Sequence, residues 1–453
     1  MKFYSFAFGC RVNEAEKEAL DKQLLNEGMI FDEKNPDIFI INTCSVTQKA
    51  EREARNLIYQ TKRKLPNTKI VITGCAATYW QKNNLYKDLP IDLLVDNLNK
   101  EFLAKIIKKR LFQSSQFDLR GRQWTDKTIQ NQLISSKFLS SKRMMVKIQD
   151  GCQRFCSFCI VPYLRGLPKS YKIKEIVKYI NSLNNQKNNH KDKKCHPELV
   201  SGSHFSEVIL TAINTEAFGY DTGESFIDLI DEIIKKTSIP RISFGSIHPW
   251  SINSQFINFY QKILTVNRLV NFFHIPLQSG SNAILKIMKR GYTREEFLEK
   301  LENLKKINPY LFLATDIIVG FLEETEKEFE ETYEFLEKSP LSRFHIFRFS
   351  KRQNTAAYYL AKKLKEPTVE EKKKRAKILK TLSDKKFSLF QEKNLGRFSN
   401  ALILNKKEND FYEGLLDNQL PVFISTDKKI QPGDIIKVKV EKINSGKLIA
   451  KMI

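Results

Sequence analysis

Along residues 1–121, short apolar runs alternate with stretches of helical period. KFYSFAF, DIFIINT, KIVITGC and IDLLVD read as strands, rich in aromatic and β-branched residues and bounded by polar ones. EAEKEALDKQLLNEG, QKAEREARNLIYQTKRKL and KEFLAKIIKKRLF read as the helices between them. Strands alternating with helices predict a parallel sheet covered on both faces, with its ligand site beyond the carboxyl ends of the strands. The polar stretch QSSQFDLRGRQWTDKTIQNQLISSK then breaks the pattern and is expected to be a linker.

A second α/β region is expected over 138–375. Its candidate strands are RMMVKIQ, SEVILTAI, RISFGSI, LVNFFHI, LFLATDIIVG and RFHIFRF, each but the last followed by a helical segment. That order predicts a full or partial (βα) barrel whose site residues lie at the strand C-termini. Within it, residues 181–206 (NSLNNQKNNHKDKKCHPELVSGSHFS) have no apolar period and are expected to be a surface insertion. Cys195, with His190, His196 and His204, matches no usual zinc-finger spacing. A long basic helix, KKLKEPTVEEKKKRAKILKTLSDKKFSLFQEKNLG, comes next. Over 390–453 the short runs FSNALILNK, LPVFIST, DIIKVKVEKI and KLIAKMI, broken by DN and QPGD, predict a small OB-like β-barrel. The class is therefore α/β, in three domains.

Composition narrows the function. At 453 residues the chain exceeds one ordinary core, and 41% hydrophobic content is enough for several. No run approaches a membrane span, and the opening MKFYSFAFGCRVNEAEKEAL runs from alternating apolar residues straight into charge. A first strand is expected there, not a signal peptide, and a cytoplasmic protein without a membrane partner. Seven cysteines, an odd number, make no disulfide framework and favour metal ligation or catalysis. A formal charge of +24 favours a polyanionic partner, nucleic acid first; the abundance of Lys, Asn, Ile and Phe is also what an AT-rich genome encodes.

Two constellations carry chemistry. Cys10, Cys44 and Cys75 each follow one of the first three predicted strands, so the topology gathers them along one edge of the sheet. Cys152, Cys156 and Cys159 have C-x3-C-x2-C spacing in the loop after the first strand of the second region. Three thiolates in so tight a loop suit an iron–sulfur cluster, because zinc would want a fourth ligand nearby and the loop offers no other Cys or His. Three protein ligands on a [4Fe–4S] cluster leave one iron open to a small molecule.

The loop resembles that of the radical S-adenosylmethionine (radical SAM) enzymes, C-x3-C-x-aromatic-C, with Phe158 at the aromatic position. Within that superfamily the chain resembles the methylthiotransferases over nearly its full length. FGCRVNEAE, INTCSVT and TGCAA are similar to their three N-terminal cysteine motifs. KIQDGCQRFCSFCIVPYLRG, HIPLQSGSNAILKIMKRGYT and TDIIVGF are similar to their barrel motifs, and the C-terminal barrel to their TRAM domain.

The resemblance implies that Cys152, Cys156 and Cys159 hold the radical-generating [4Fe–4S] cluster, whose open iron binds SAM. Reductive cleavage of that SAM would yield a 5′-deoxyadenosyl radical. Cys10, Cys44 and Cys75 would hold an auxiliary [4Fe–4S] cluster that carries sulfur, methylated by a second SAM before transfer. The resemblance also implies a low-potential electron donor such as flavodoxin or ferredoxin, and a sulfur source. Phe158, Gln278, Ser279 and Asp316 become candidate SAM contacts, and Arg165 a candidate for offsetting cluster charge. Plainer readings stand beside these: a polar turn for Gln278–Gly280, a helix cap for Asp316, a surface salt bridge for Arg165, a satisfied core residue for His274, and a solvated helix face for Lys372–Lys380.

GCRVNEAE and IQDGC are closer to the enzymes acting on N6-threonylcarbamoyladenosine, 3′ of the tRNA anticodon, than to the GCQMN and EGC forms of the isopentenyladenosine enzymes or the GCPKN form acting on a ribosomal protein. The implied activity is 2-methylthiolation of that nucleoside, at position 37, with the anticodon stem–loop as partner. The alternatives are an isopentenyladenosine or ribosomal-protein methylthiotransferase and, outside the class, an iron–sulfur electron carrier or a zinc-containing RNA-binding protein. The chain departs from the family pattern at RGLPKS (Lys169), GSIHP (His248) and GFLEETEK.

Overall fold

The computed structural model describes residues 1–112, 141–184, 205–406 and 411–453. The expected linker and most of the expected insertion, with Cys195, His190, His196 and His204, lie outside them.

The first sheet has five parallel strands, β1 (Lys2–Ala7), β2 (Ile30–Phe31), β3 (Ile38–Thr43), β4 (Lys69–Gly74) and β5 (Leu93–Leu94), in the order β2-β1-β3-β4-β5. Every side chain of β3 is buried, as a central strand covered on both faces requires. Alternate residues feed two cores: Phe39, Ile41, Ile70 and Ile72 pack around Trp80, while Ile38, Ile40 and Val71 pack with Phe3, Leu24 and Ile107. The helix Gln48–Lys64 starts where the Thr47 hydroxyl accepts from the Ala50 amide at 3.1 Å, and ends in Lys62, Arg63 and Lys64, which complement its dipole. Three details differ from the sequence reading, the first being β2, which was not anticipated. IDLLVD pairs over only two residues, and an unanticipated short helix, Cys75–Lys82, begins at the third cysteine itself.

The second region contains β6 (Arg143–Asp150), β7 (Lys169–Ser170), β8 (Glu207–Ala212), β9 (Arg241–Phe244), β10 (Phe272–His274), β11 (Phe312–Val319) and β12 (Arg343–Arg348). Its two sheets, β7-β6-β8-β9 and β10-β11-β12, are stitched by amides of Ile242 and Val270 donating to Arg268 and Ile242 carbonyls at 2.7 and 2.8 Å. Six parallel strands thus curve into a partial barrel, with β7 antiparallel at its edge. The open side is covered by the first domain: the helix Arg11–Asn26 lays Ala15 on Met145 of β6 and Ile209 of β8.

The helix Val369–Lys393, opened by a Thr368–Glu371 capping box, leads into a closed five-stranded barrel: β13 (Phe398–Lys406), β14 (Phe411–Leu416), β15 (Pro421–Ser425), β16 (Ile435–Asn444) and β17 (Lys447–Met452). β14 was not anticipated. Its Gly414 sits where a Cβ would come within 3.0 Å of Ile424 Cδ1 and the Leu402 carbonyl, a close approach that interrupts the strand pattern in the sequence. This barrel docks on the amino ends of the partial-barrel strands. Arg241 donates to the Leu416 carbonyl at 3.1 Å, the Asn271 amide to the Asp417 carbonyl at 2.8 Å, and Phe312 stacks on Phe390 at 5.0 Å.

Candidate iron–sulfur and radical site

Cys10, Cys44 and Cys75 stand at the carboxyl ends of β1, β3 and β4, three neighbouring strands. Gly9, at φ +89°, is pressed so closely on the second of them that a Cβ there would lie 2.4 Å from Cys44 Sγ. Gly74, at φ +95°, turns the chain into Cys75, and a Cβ would meet the Thr43 carbonyl at 2.4 Å. All three cysteines are unpaired. Burial, reinforced by Cys10 and Cys75, pushes the Cys44 thiol up to about 12, and burial also raises Cys10. Loading a metal here must therefore expel protons. Asn97 donates to Cys75 Sγ at 3.5 Å and to the Leu164 carbonyl at 3.2 Å, tying this edge to the second region.

The second set follows β6. Gly151, at φ +71°, is confined against the Leu167 carbonyl, 2.1 Å from where a Cβ would sit. The Gln149 side chain bridges this turn, donating to the Gly151 carbonyl at 2.8 Å and accepting from the Asn214 amide at 2.9 Å. The loop is then clamped by backbone bonds from Ser157 to Met288 (3.0 Å) and from Ala357 to Ser157 (2.7 Å). Burial and the neighbouring Cys156 and Cys152 push the Cys159 thiol up to about 12, against the opposing charge of Arg290.

Arg290 is the residue that sequence reasoning passed over. Its Nη1 donates to Cys156 Sγ at 3.2 Å, its Nη2 to the Pro276 carbonyl at 3.0 Å, and its plane lies 4.7 Å from the Trp250 ring centre. It stood in the quoted stretch MKRGYT, where nothing local marks its Arg as facing a cysteine more than a hundred residues away. The charges opposing the Cys152–Cys159 loop are thus Arg290, at Cys159, and Arg154, at Cys152. Arg165 serves the other set: its charge opposes the rise of Cys10, and it feels Cys75.

Nor is Arg165 in a surface salt bridge. Its side chain is 1% exposed and holds Glu16 Oε1 at 2.8 Å, Asp150 Oδ1 at 3.0 Å and Asn13 Oδ1 at 2.8 Å. Lys147 reaches Glu16 at 2.9 Å and Asp150 at 2.6 Å, and Lys100 reaches Glu16 at 2.5 Å and Asn42 at 2.7 Å. Two carboxylates face three cations, and the surplus positive charge lies beside Cys10 and Cys75. The helix Val161–Arg165, which follows Cys159, packs with the helix that begins at Cys75, and Lys82 caps the Tyr163 carbonyl at 2.7 Å. The two cysteine sets are carried on adjoining elements of different domains.

The remaining candidates separate. Phe158 joins an apolar cluster, its ring 6.4 Å from Phe321. Gln278 is strained at φ +83°, its backbone bridging to β11 through the Asp316 carbonyl and the Ile318 amide. Ser279 is fully buried, its hydroxyl engaged by Thr332 and the Ser281 amide, and Gly280 packs against Thr332; the turn leaves Ser279 no free surface. Asp316 is no helix cap. It lies inside β11 and holds His274 Nε2 at 2.9 Å, while His274 Nδ1 meets Ser246 at 3.1 Å. The next helix is capped by Thr325 with Glu328. His248 is stacked on Trp250, and burial pulls it down to about 3, so it is neutral. Lys169 is exposed on β7. Within Lys372–Lys380, Lys372 and Arg375 are buried on Glu366 and Glu324, which leaves Lys373, Lys374, Lys377 and Lys380 on the exposed face.

Comparison with known proteins gives the family. The Uncharacterized protein family UPF0004 matches residues 2–96, and the Radical SAM superfamily matches residues 208–336. The chain is 35% identical to the threonylcarbamoyladenosine tRNA methylthiotransferase MtaB of Aquifex aeolicus, covering 90% of this chain and 93% of that protein. The chain is a radical SAM methylthiotransferase. It is also 31% identical to MtaB of Bacillus subtilis, over 96% of this chain and 92% of that one. Identity is again 31% to the tRNA-2-methylthio-N(6)-dimethylallyladenosine synthase of Petrotoga mobilis, over 100% and 99%. Among solved structures, the radical SAM methyltransferase TsrM of Kitasatospora setae matches at 12% identity and TM-score 0.49, over 77% of this chain and 72% of that one.

A radical SAM methylthiotransferase uses SAM and a [4Fe–4S] cluster. The residues present fit such a group. Each cysteine set offers three unpaired thiols, one for each of three irons of a cube, and would leave the fourth iron open to a small molecule.

Proposed function

We propose that this enzyme adds a methylthio group to N6-threonylcarbamoyladenosine at position 37 of tRNA, with one [4Fe–4S] cluster on Cys152, Cys156 and Cys159 and a second on Cys10, Cys44 and Cys75. The observation that carries this reading is the pair of three-cysteine sets, one at the carboxyl ends of β1, β3 and β4 and the other in the loop after β6, brought together where the helices Cys75–Lys82 and Val161–Arg165 adjoin. When bound, the clusters and SAM supply radical generation and the sulfur to be transferred. The chain's own part is to hold them together and keep water out: Arg290 and Arg165 place positive charge beside the two sets, and the helix Arg11–Asn26 covers the open side of the barrel.

An RNA partner is supported by the surface. On β16, Val438 and Val440 point inward while Lys437 and Lys439 are exposed; Lys451 of β17 pairs with Lys439, and Phe398 is 66% exposed with Lys439 Nζ 5.8 Å from its ring. Exposed lysines beside an exposed aromatic ring suit a phosphate backbone and a stacked base. This patch lies on the barrel docked at the strand ends opposite the cysteine loop, so a ligand using both must be long, as a tRNA is. A low-potential flavodoxin or ferredoxin as electron donor, and a cytoplasmic setting, belong to the same reading.

Isopentenyl-type adenosine is the second reading, supported by the equally extensive match to the Petrotoga mobilis synthase. Nucleosides from cells with and without the gene, compared by mass spectrometry, choose between them: the methylthio form of threonylcarbamoyladenosine should disappear with the gene. Loss of a methylthio isopentenyladenosine, or of a modification on a ribosomal protein, refutes the assignment. Anaerobic reconstitution should give about eight irons per chain; zinc without labile sulfide refutes the clusters.

A further inference from the structure

Arg11 follows Cys10 directly and begins the helix that covers the barrel's open side. Its side chain remains exposed to solvent. Its Nη1 lies 3.3 Å from the carbonyls of both Phe244 and Gly245, at the carboxyl end of β9, so the guanidinium is held but only weakly bonded. Gly245 lies beside it: a Cβ there would stand in ordinary contact, 3.5 Å from Arg11 Cδ.

Among the described residues, no carboxylate lies within ion-pair distance of Arg11. The nearest carboxylate whose charge it feels, Glu207, is fully engaged by Arg143 and Arg241 at 3.2 Å, Ser243 at 2.6 Å and Gln419 at 3.0 Å. His345 of β12, an exposed side chain within reach of Arg11's charge, stands beside the His274–Asp316 pair, its ring 5.4 Å from that of His274. Asp316 is already engaged by His274. An exposed fork of N–H donors, held at the carboxyl end of β9 with its charge unanswered, is the complement of a carboxylate.

We propose that Arg11 receives the carboxylate of the substrate's N6 substituent and so anchors the base beside the Cys10–Cys44–Cys75 set. The inference rests on the threonylcarbamoyladenosine reading, since an isopentenyl group has no charge to offer. It makes Arg11 a determinant of which modified adenosine is accepted. A Gln at this position keeps donors but loses the charge, and a Lys keeps the charge but loses the fork.

The test uses reconstituted holoenzyme and two anticodon stem–loop oligonucleotides, one with threonylcarbamoyladenosine and one with its methyl ester. Affinity by fluorescence anisotropy and kcat/KM by nucleoside analysis are both measured. Wild type should favour the free acid by about 10- to 100-fold, the range of a charge-assisted hydrogen-bonded pair. Arg11→Gln should lose that preference, mainly in KM, and Arg11→Lys should keep part of it. A preference that survives Arg11→Gln overturns the assignment, as does an equal loss on both oligonucleotides, which would place a backbone phosphate or the SAM carboxylate against Arg11. Wild-type enzyme that modifies neither oligonucleotide, but acts on an isopentenyladenosine stem–loop, overturns the substrate reading together with this one.

Discussion

Replacing Glu16 by Gln removes one of the two carboxylates in the buried knot that joins the domains, with almost no change in shape. In the wild type, Glu16 is 9% exposed and touches Arg165 at 2.8 Å, Lys147 at 2.9 Å and Lys100 at 2.5 Å. Asp150 would then hold Arg165 and Lys147, and Lys100 would keep only the Asn42 side chain. Breaking a buried pair by removing one partner costs about 3–5 kcal/mol. Asp150 still satisfies Arg165 and Lys147, so the lower end, about 3 kcal/mol, is expected. At roughly 2–4 °C per kcal/mol, the transition of the joined domains should fall by about 6–12 °C.

The pH dependence follows from sign. Arg165, Lys100 and Lys147 hold the Glu16 carboxyl well below 4.5, against the penalty of burial. Its stabilisation is therefore complete above 4.5 and is lost as pH falls through the lower folded value. The gap between wild type and Glu16→Gln should stay constant from pH 8 to about 5 and close only in acid. The check is a thermal scan of both proteins across pH, with Glu16→Gln/Lys100→Met as a companion. Removing a cation as well should restore more than about 1 kcal/mol of the loss. A shift no larger than that of a surface Glu→Gln control, or a double variant that is additively worse, refutes the charge-balance argument.

Gly9→Ala forces a Cβ into Cys44 Sγ at positive φ, and reconstituted protein should hold about four irons per chain instead of about eight. Gly28→Ala, equally at positive φ but with nothing within 4 Å, should keep its iron and lose only about 1 kcal/mol of stability. Arg290→Met removes the donor to Cys156 Sγ, and the electronic spectrum of the Cys152–Cys159 cluster should change while that of the other set does not. Lys437→Glu with Lys439→Glu should weaken tRNA binding without changing iron content, and should flatten the slope of log K against log salt by about 1 per lysine; an unchanged slope removes β16 from the RNA surface.

The strands were legible because their pattern is local. IFIINT of β3 and IVITG of β4 are apolar on both faces and flanked by turns, and each cysteine follows its strand within a residue or two. Segments whose form depends on a neighbour were not. β14 contains a glycine placed by the close approach of Leu402 and Ile424, and the helix Cys75–Lys82 is too short to declare a period. Asp316 read equally well as a cap or a ligand, because a strand interior and a helix start look alike around one carboxylate.

The sequence by itself determined the kind of chemistry: six cysteines in two sets of three, the motifs of a radical SAM methylthiotransferase, a strong net positive charge, and a parallel architecture that puts loop residues at strand ends. Only the tertiary structure decided the electrostatics around them. It assigned Arg290 to Cys156 and Arg165 to Cys10 and Cys75, turned Glu16 into the hub of a buried knot, and left Arg11 exposed at the end of β9 with no carboxylate among the described residues within ion-pair distance. The reason is range. Thiolate spacing and strand periodicity are set by residues within a few positions of one another, whereas a charge acts on whatever the fold brings within several ångströms. For Glu16 and Arg165 that neighbour is 149 residues away along the chain.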